Sequence, residues 1–172
     1  MTSRPVIVVM GVSGSGKSSV GALLAERLGV PFEEGDALHP AANVAKMAAG
    51  RPLDDDDRWP WLDAIGAWVA ARVADGTGGV VSCSALRRVY RERLAAAGGS
   101  AIRFVYLRAS EATIAARLSH RVGHFMPAAL LPSQFATLEE PSQDEGVTTV
   151  NTDGLTIDEV VTEVVASLRG PS

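Results

Sequence analysis

The chain has 172 residues, 47% of them apolar and 21% charged, with a formal net charge of −4. That length suits one domain spanning 1–172 with a real core, and the acidic balance excludes the basic face of a nucleic-acid binder. Its lone cysteine, Cys83, excludes an internal disulfide and suits a reducing, cytoplasmic setting, while the early run "PVIVVM" is too short to span a bilayer and breaks into glycines unlike a signal peptide.

In chain order, "VIVVM" (6–10) has the continuous apolar, β-branched character of a strand buried on both faces. A glycine-rich loop follows, then a segment of helical period over Gly16–Leu28 and a short strand at 30–34. Helical spacings recur over Trp59–Asp75, Leu86–Ala97, Glu111–Ser119 and Ile157–Leu168, and strands are predicted at 80–83, 102–107 and 147–151. This alternation predicts an α/β fold: a parallel sheet, right-handed crossovers and helices on both faces. Two polar stretches, 35–58 and 120–135, break the pattern, and irregular insertions at strand ends are where function concentrates in such folds.

The loop "GVSGSGKS" (Gly11–Ser18) satisfies G-x-x-x-x-G-K-[ST] at every position, after a strand and opening a helix. Gly11, Gly14 and Gly16 let backbone N–H groups turn inward around anionic oxygens, and the helix start adds its positive end. Lys17 can reach the β- and γ-phosphates, and the Ser18 hydroxyl is placed to ligate Mg²⁺. A dinucleotide-binding G-x-G-x-x-G from Gly14 would have Asp36 about 20 residues on as its ribose acid. Its third glycine position is Ser19, so that alternative fails. With no N-K-x-D motif and no D-x-x-G placed as a switch after the second strand, a small phosphotransferase fits better than a GTPase.

The acceptor would then bind within 35–58. Asp36 follows the second strand on the sheet edge shared with the loop, where a carboxylate can orient a hydroxyl or take its proton. The competing role is a cap for a helix beginning after Pro40. His39 is read evenly as ligand or as structural hydrogen-bonding group. "LDDDDR" (53–58) has the pattern of a solvated first helical turn, whereas Arg58 can turn inward onto an anionic acceptor. Arg87 and Arg88 open a helix, a poor place for cations unless they face an anion. A lid over about 117–130 would carry Arg117 and Arg121 on one helical face, or these form an exposed salt-bridging helix end. Cys83 reads as a small buried hydrophobe rather than a nucleophile. The third strand, "VVSCSALRR", ends without the aspartate that usually completes a Mg²⁺ shell, leaving Glu34 or Asp36 to serve through water.

Together "MGVSGSGKS", "GDALHPAANVAKMAAGRPLDDDDRWPWL", "CSALRRVYRERL", "FVYLRAS" and "RVGHFMPAALLPSQFATLEEP" resemble the gluconokinases, relatives of shikimate kinase among P-loop small-molecule kinases, over nearly the whole chain. The resemblance implies a nucleoside-monophosphate-kinase-like core, commonly homodimeric, and ATP- and Mg²⁺-dependent phosphorylation of D-gluconate at its 6-hydroxyl. Shikimate or another sugar acid, or ATP binding without turnover, are the alternatives. It implies ATP contacts from Gly11, Val12, Ser13, Gly14, Ser15, Gly16, Lys17, Ser18, Ser19, Arg117 and Arg121, with Lys17, Asp36 and Arg121 catalytic. Asp36, His39, Arg58, Arg87, His124 and Gln134 would meet the acceptor, and Ser18, with Glu34 through water, the metal. Asn43 and Lys46 fall in the same blocks, Lys46 being one of only two lysines. "HFMPAALLPSQF" is richer in proline than the family pattern.

Overall fold

The structure, a computed structural model, describes residues 4–12, 14–51, 53–119, 135–142 and 145–169. Among these, five strands form one sheet: β1 (Val6–Met10), β2 (Phe32–Glu34), β3 (Gly79–Ser82), β4 (Ile102–Arg108) and β5 (Thr148–Asn151). The order is β2-β3-β1-β4-β5, and every pairing is parallel. Helices α1 (Lys17–Leu28), α2 (Ala41–Ala48), α3 (Asp55–Asp75), α4 (Arg88–Gly98), α5 (Glu111–Ser119) and α6 (Ile157–Arg169) connect or cover the strands.

Strand β1 shows why its sequence lacks polar alternation. Val6, Val8 and Met10 pack with Trp61, Leu62, Ile65 and Val69 of α3 and with Tyr90 and Leu94 of α4. Ile7 and Val9 pack on the other face with Val20 and Leu24 of α1 and with Val160, Val161 and Val164 of α6. Successive side chains of a strand point to opposite faces, so a central strand between two helical layers must be apolar at every position.

Helix α3 begins at Asp55, four residues before the apolar period starts at Trp59. Asp54 is the reason: its side chain accepts from the Asp57 N–H at 2.9 Å, and the Asp57 carboxylate accepts from the Asp54 N–H at 2.9 Å. This reciprocal cap stabilises an acidic first turn that also suits the helix dipole. Further along, Trp61, Ile65 and Val69 share one buried face, and truncating Trp61 to alanine would cost about 3–5 kcal/mol.

The other strands and helices lie where the periodicity predicts, with ends shifted by at most two residues, except α2, which forms inside the stretch 35–58 that the periodicity left irregular. The functional consequence is at the carboxyl edge. The glycine loop leaves β1, a 3-10 turn (Gly35–Leu38) leaves β2, and the Cys83–Arg87 connection leaves β3, all on one side of the sheet. Gly35 is forced by this crowding: a Cβ there would sit 1.8 Å from the Ser82 carbonyl oxygen. Among the described residues no helix is long and apolar enough to cross a membrane.

Candidate active site

The loop after β1 is tight at both ends. At Gly11 (φ +150°) an added Cβ would meet Ser15 Oγ at 2.7 Å and the Leu107 carbonyl at 3.0 Å. Gly16 enters α1 in the left-handed region (φ 97°) and provides no side-chain cap. An uncapped helix start after a glycine-rich turn offers its N–H groups to an anion. Lys17 is 8% exposed and its Nζ donates to the Val12 carbonyl at 3.0 Å, which holds the ammonium across the loop. Ser18 and Ser19 are exposed on the first turn of α1, while Ser15 Oγ and Gly14 are buried beneath it.

Asp36 lies in the 3-10 turn after β2, and α2 has Pro40 in its N-cap position with no side-chain cap, so Asp36 is not the cap of that helix. The Asp36 carboxylate is 39% exposed, and its Oδ1 is 4.0 Å from His39 Nε2. His39 is stacked on Trp61 with ring centroids 4.1 Å apart; burial and then the charge of Arg58 push its pKa down to about 4. The Cys83 thiol, pushed up to about 12 by burial, feels the charges of both Asp36 and Lys17. Lys17 and Asp36 therefore flank the same end of β3. A thiol so buried is no nucleophile.

Arg58 and Arg87 come together, although they are distant in sequence. Arg58 Nη1 donates to Tyr90 Oη at 2.8 Å, Arg87 Nη1 donates to Asp55 Oδ2 at 2.7 Å, and Tyr90 Oη donates to Asp55 Oδ1. Arg58 Nη1 is also 3.6 Å from Asp55 Oδ1. The Tyr90 hydroxyl, then Arg87 and Arg58, hold the Asp55 carboxyl below the usual carboxylate range. Two guanidiniums thus share the Asp55 carboxylate, and with Glu139 beside Arg87 the cluster is balanced in charge, so an anionic ligand would have to compete with these carboxylates for the guanidiniums. The acidic run is thus only partly solvated: Asp55 serves the arginines, and Asp57 takes Lys46 Nζ at 2.6 Å. The second lysine therefore ties α2 to the start of α3 and does not join the loop. Arg87 at the start of α4 is accounted for by Asp55 and by Glu139, 3.8 Å from its Nε.

On the far side, Arg117 Nη1 donates to the Gly14 and Ser15 carbonyls at 3.4 Å, and Nη2 to the Thr152 carbonyl at 3.3 Å. Its guanidinium braces the loop from the backbone side. Ser13, Arg121, His124, Gln134 and the segment 120–130 lie outside the described residues. Glu34 ends β2 half-buried, with its carboxylate accepting from the Ser82 hydroxyl. Among the described residues no cluster of three or more His, Cys, Asp or Glu could hold a metal by itself. Asp55, Tyr90 and Ser82 were missed by sequence reasoning. Only the tyrosine three positions after Arg87 in "RRVYRE", one helical turn on, carried a signal for them.

Residues 6–141 match the model of the AAA domain family. The chain is 54% identical to a gluconokinase of Gluconobacter oxydans, over 84% of this chain and 81% of that one. It is 43% identical to the thermoresistant gluconokinase of Escherichia coli, covering 94% and 90%. Among solved structures, a gluconokinase from Sinorhizobium meliloti superposes with a TM-score of 0.87 at 50% identity, over 98% of this chain and 93% of that one.

Proposed function

The chain belongs to the gluconokinase family, and on that premise we propose how its residues divide the work of phosphorylating D-gluconate. The reaction passes the γ-phosphoryl group of ATP to the 6-hydroxyl, giving 6-phospho-D-gluconate and ADP. The observation that carries the assignment of roles is the convergence of Lys17, Asp36 and the Arg58–Arg87 cluster at one sheet edge.

In this reading the loop N–H groups from Gly11 to Ser19 hold the phosphates. Lys17 leaves its Val12 carbonyl for the β- and γ-oxygens and follows the charge as it moves toward the leaving group. Removing such a donor costs about 10²–10³ in kcat. Asp36 accepts the hydrogen bond of the attacking 6-hydroxyl and later its proton. Little covalent chemistry is asked of it, because in-line placement and charge stabilisation dominate phosphoryl transfer. Arg58 and Arg87 hold the carboxylate at the other end of the polyol, and His39 meets the chain between. Arg121, His124 and Gln134 are assigned the closing side, with Arg117 bracing the loop beneath the nucleotide.

Ser18 and Glu34 suit Mg²⁺, a hard cation that takes oxygen ligands and keeps several waters. The Glu34 carboxylate, fixed at the carboxyl edge by Ser82, supports an outer position reached through water. When bound, the ion would neutralise charge between the β- and γ-phosphates. A cytoplasmic location is supported by one buried, unpaired cysteine. A homodimer rests on the family resemblance, and sedimentation would test it.

An ADP-release assay with gluconate, shikimate and other sugar acids tests the whole reading. Gluconate-dependent turnover that is abolished by chelating Mg²⁺ is expected. Turnover of shikimate beside inert gluconate would overturn it.

A further inference from the structure

Asn43 is 4% exposed on α2, and a buried amide is normally fully hydrogen-bonded. One of its side-chain atoms lies 2.8 Å from the Asp57 carbonyl oxygen and 3.1 Å from His39 Nδ1. A carbonyl only accepts, so the atom facing it is the NH₂ nitrogen, and the orientation of the amide follows. The second N–H of that nitrogen meets His39 Nδ1, which must then be the acceptor of the ring. A neutral imidazole carries one proton, and here that proton is on Nε2.

The ring is held in place. Its side chain is 3% exposed and stacks on Trp61 with planes 13° apart, and Trp61 Nε1 donates to the Gly35 carbonyl at 2.8 Å. Burial and Arg58 together keep the imidazole neutral. Its Nε2 faces Asp36 Oδ1 across 4.0 Å, too far for a hydrogen bond and the right span for one bridging oxygen about 2.8 Å from each. Only a group that accepts and donates at once satisfies both sides, and a hydroxyl does so.

We propose that Asn43 locks His39 as an Nε2–H donor, and that His39 and Asp36 Oδ1 form a donor–acceptor pair which takes one hydroxyl of the acceptor other than the 6-hydroxyl, leaving Asp36 Oδ2 for the latter. This deepens the gluconokinase reading and rests on it for the identity of the acceptor. The hydroxyl's lone pair receives His39 and its proton points at Asp36, so orientation is set at both ends. Asn43 is a positioning residue, acting only through the imidazole. An acceptor with hydrogen in place of that hydroxyl can neither receive His39 nor donate to Asp36, and a site built to hydrogen-bond a substrate hydroxyl rejects the analogue lacking it by about 10⁴–10⁵.

Two variants of His39 separate this role from packing. His39→Phe keeps the stack on Trp61 without a donor, and gluconate kcat/KM should fall about a hundredfold while the ATP KM stays within about twofold. His39→Gln carries an amide N–H near the Nε2 position and should recover most of that loss. The wild type should reject one of the monodeoxy-gluconates far more strongly than His39→Phe does. Proton–nitrogen spectra of the unliganded enzyme, with its three histidines and His39 assigned from the His39→Gln spectrum, should show the Nε2–H tautomer at pH 7. An Nδ1–H tautomer, a wild-type KM in His39→Phe, or a His39→Gln as impaired as His39→Phe would each overturn the proposal. Absent gluconate turnover in the wild type would instead overturn the acceptor assignment, while the tautomer still decides the lock.

Discussion

Ser82 donates its hydroxyl proton to Glu34 and accepts the N–H of Gly35 at 3.1 Å, so the last residue of β3 steers the last residue of β2. Where a carboxylate would ordinarily stand on β3, the strand carries a hydroxyl that directs a carboxylate from its neighbour. Ser82→Ala should leave the Gly35 N–H without that acceptor and destabilise the fold by about 1–3 kcal/mol. It should also raise the Mg²⁺ concentration for half-maximal activity several-fold. Thermal denaturation and a Mg²⁺ titration separate the two effects, and an unchanged Mg²⁺ requirement would make Ser82 purely structural.

Arg58 and Arg87 are linked through the Tyr90 hydroxyl and the Asp55 carboxylate. Tyr90→Phe keeps the buried ring, packed edge-on to Trp59 at 5.6 Å, and removes only the atom that Arg58 and Asp55 share. The expected result is a gluconate KM raised about tenfold, the loss of one charge-assisted bond, with kcat and the ATP KM little changed. A fall in kcat with constant KM would move the pair from carboxylate binding to the chemical step.

Buried charge also fixes the connection after β3. Arg91, 3% exposed, pairs with Glu145 at 2.6 Å and 3.2 Å through two nitrogens, and its Nη1 donates to the carbonyl of Ala85 at 2.9 Å. Ala85 is a left-handed non-glycine residue at φ 44°, and this bond helps hold it there. Breaking such a pair on one side costs about 3–5 kcal/mol, so Arg91→Met should lower the melting temperature sharply. The hydrogen bond from Arg91 holds the Glu145 carboxyl below its ordinary 4.5. The unfolded chain therefore binds that proton more readily, and the contribution is complete above about pH 4.5 and lost as pH falls through the lowered native value. Glu145→Gln should flatten that part of an acid-denaturation curve.

The Cys83 thiol, buried and raised to about 12, should resist alkylation at pH 8 in the native enzyme and react at once in denaturant. Modification of the native protein at the unfolded rate would mean that the end of β3 opens readily.

Much of this was legible in one dimension. The β1–loop–α1 unit is contiguous, so its period and spacing carry the whole arrangement. Asp36 was readable because a residue just past a parallel strand must lie at the carboxyl edge. What stayed hidden is long-range. Asp55 and Tyr90 are 35 residues apart, and nothing in "LDDDDR" says which of four aspartates faces an arginine. The early start of α3 was obscured because its cap uses Asp54 and Asp57 in a run where every residue is acidic. Lys46 was singled out for rarity, but rarity did not reveal that its partner is a helix cap. The tautomer inferred for His39 depends on the Asp57 carbonyl, 14 residues from Asn43, which only the fold brings to the amide.

The two lysines have one more implication. Lys17 is held by the Val12 carbonyl and Lys46 by Asp57, so each side-chain amine of the folded chain is engaged, one at the phosphate loop and one at the α2–α3 junction. Amine acylation followed by peptide mass spectrometry therefore becomes a two-channel gauge of local opening. Slower labelling of Lys17 with nucleotide present, at a constant rate for Lys46, would report occupancy of the loop without any measurement of turnover.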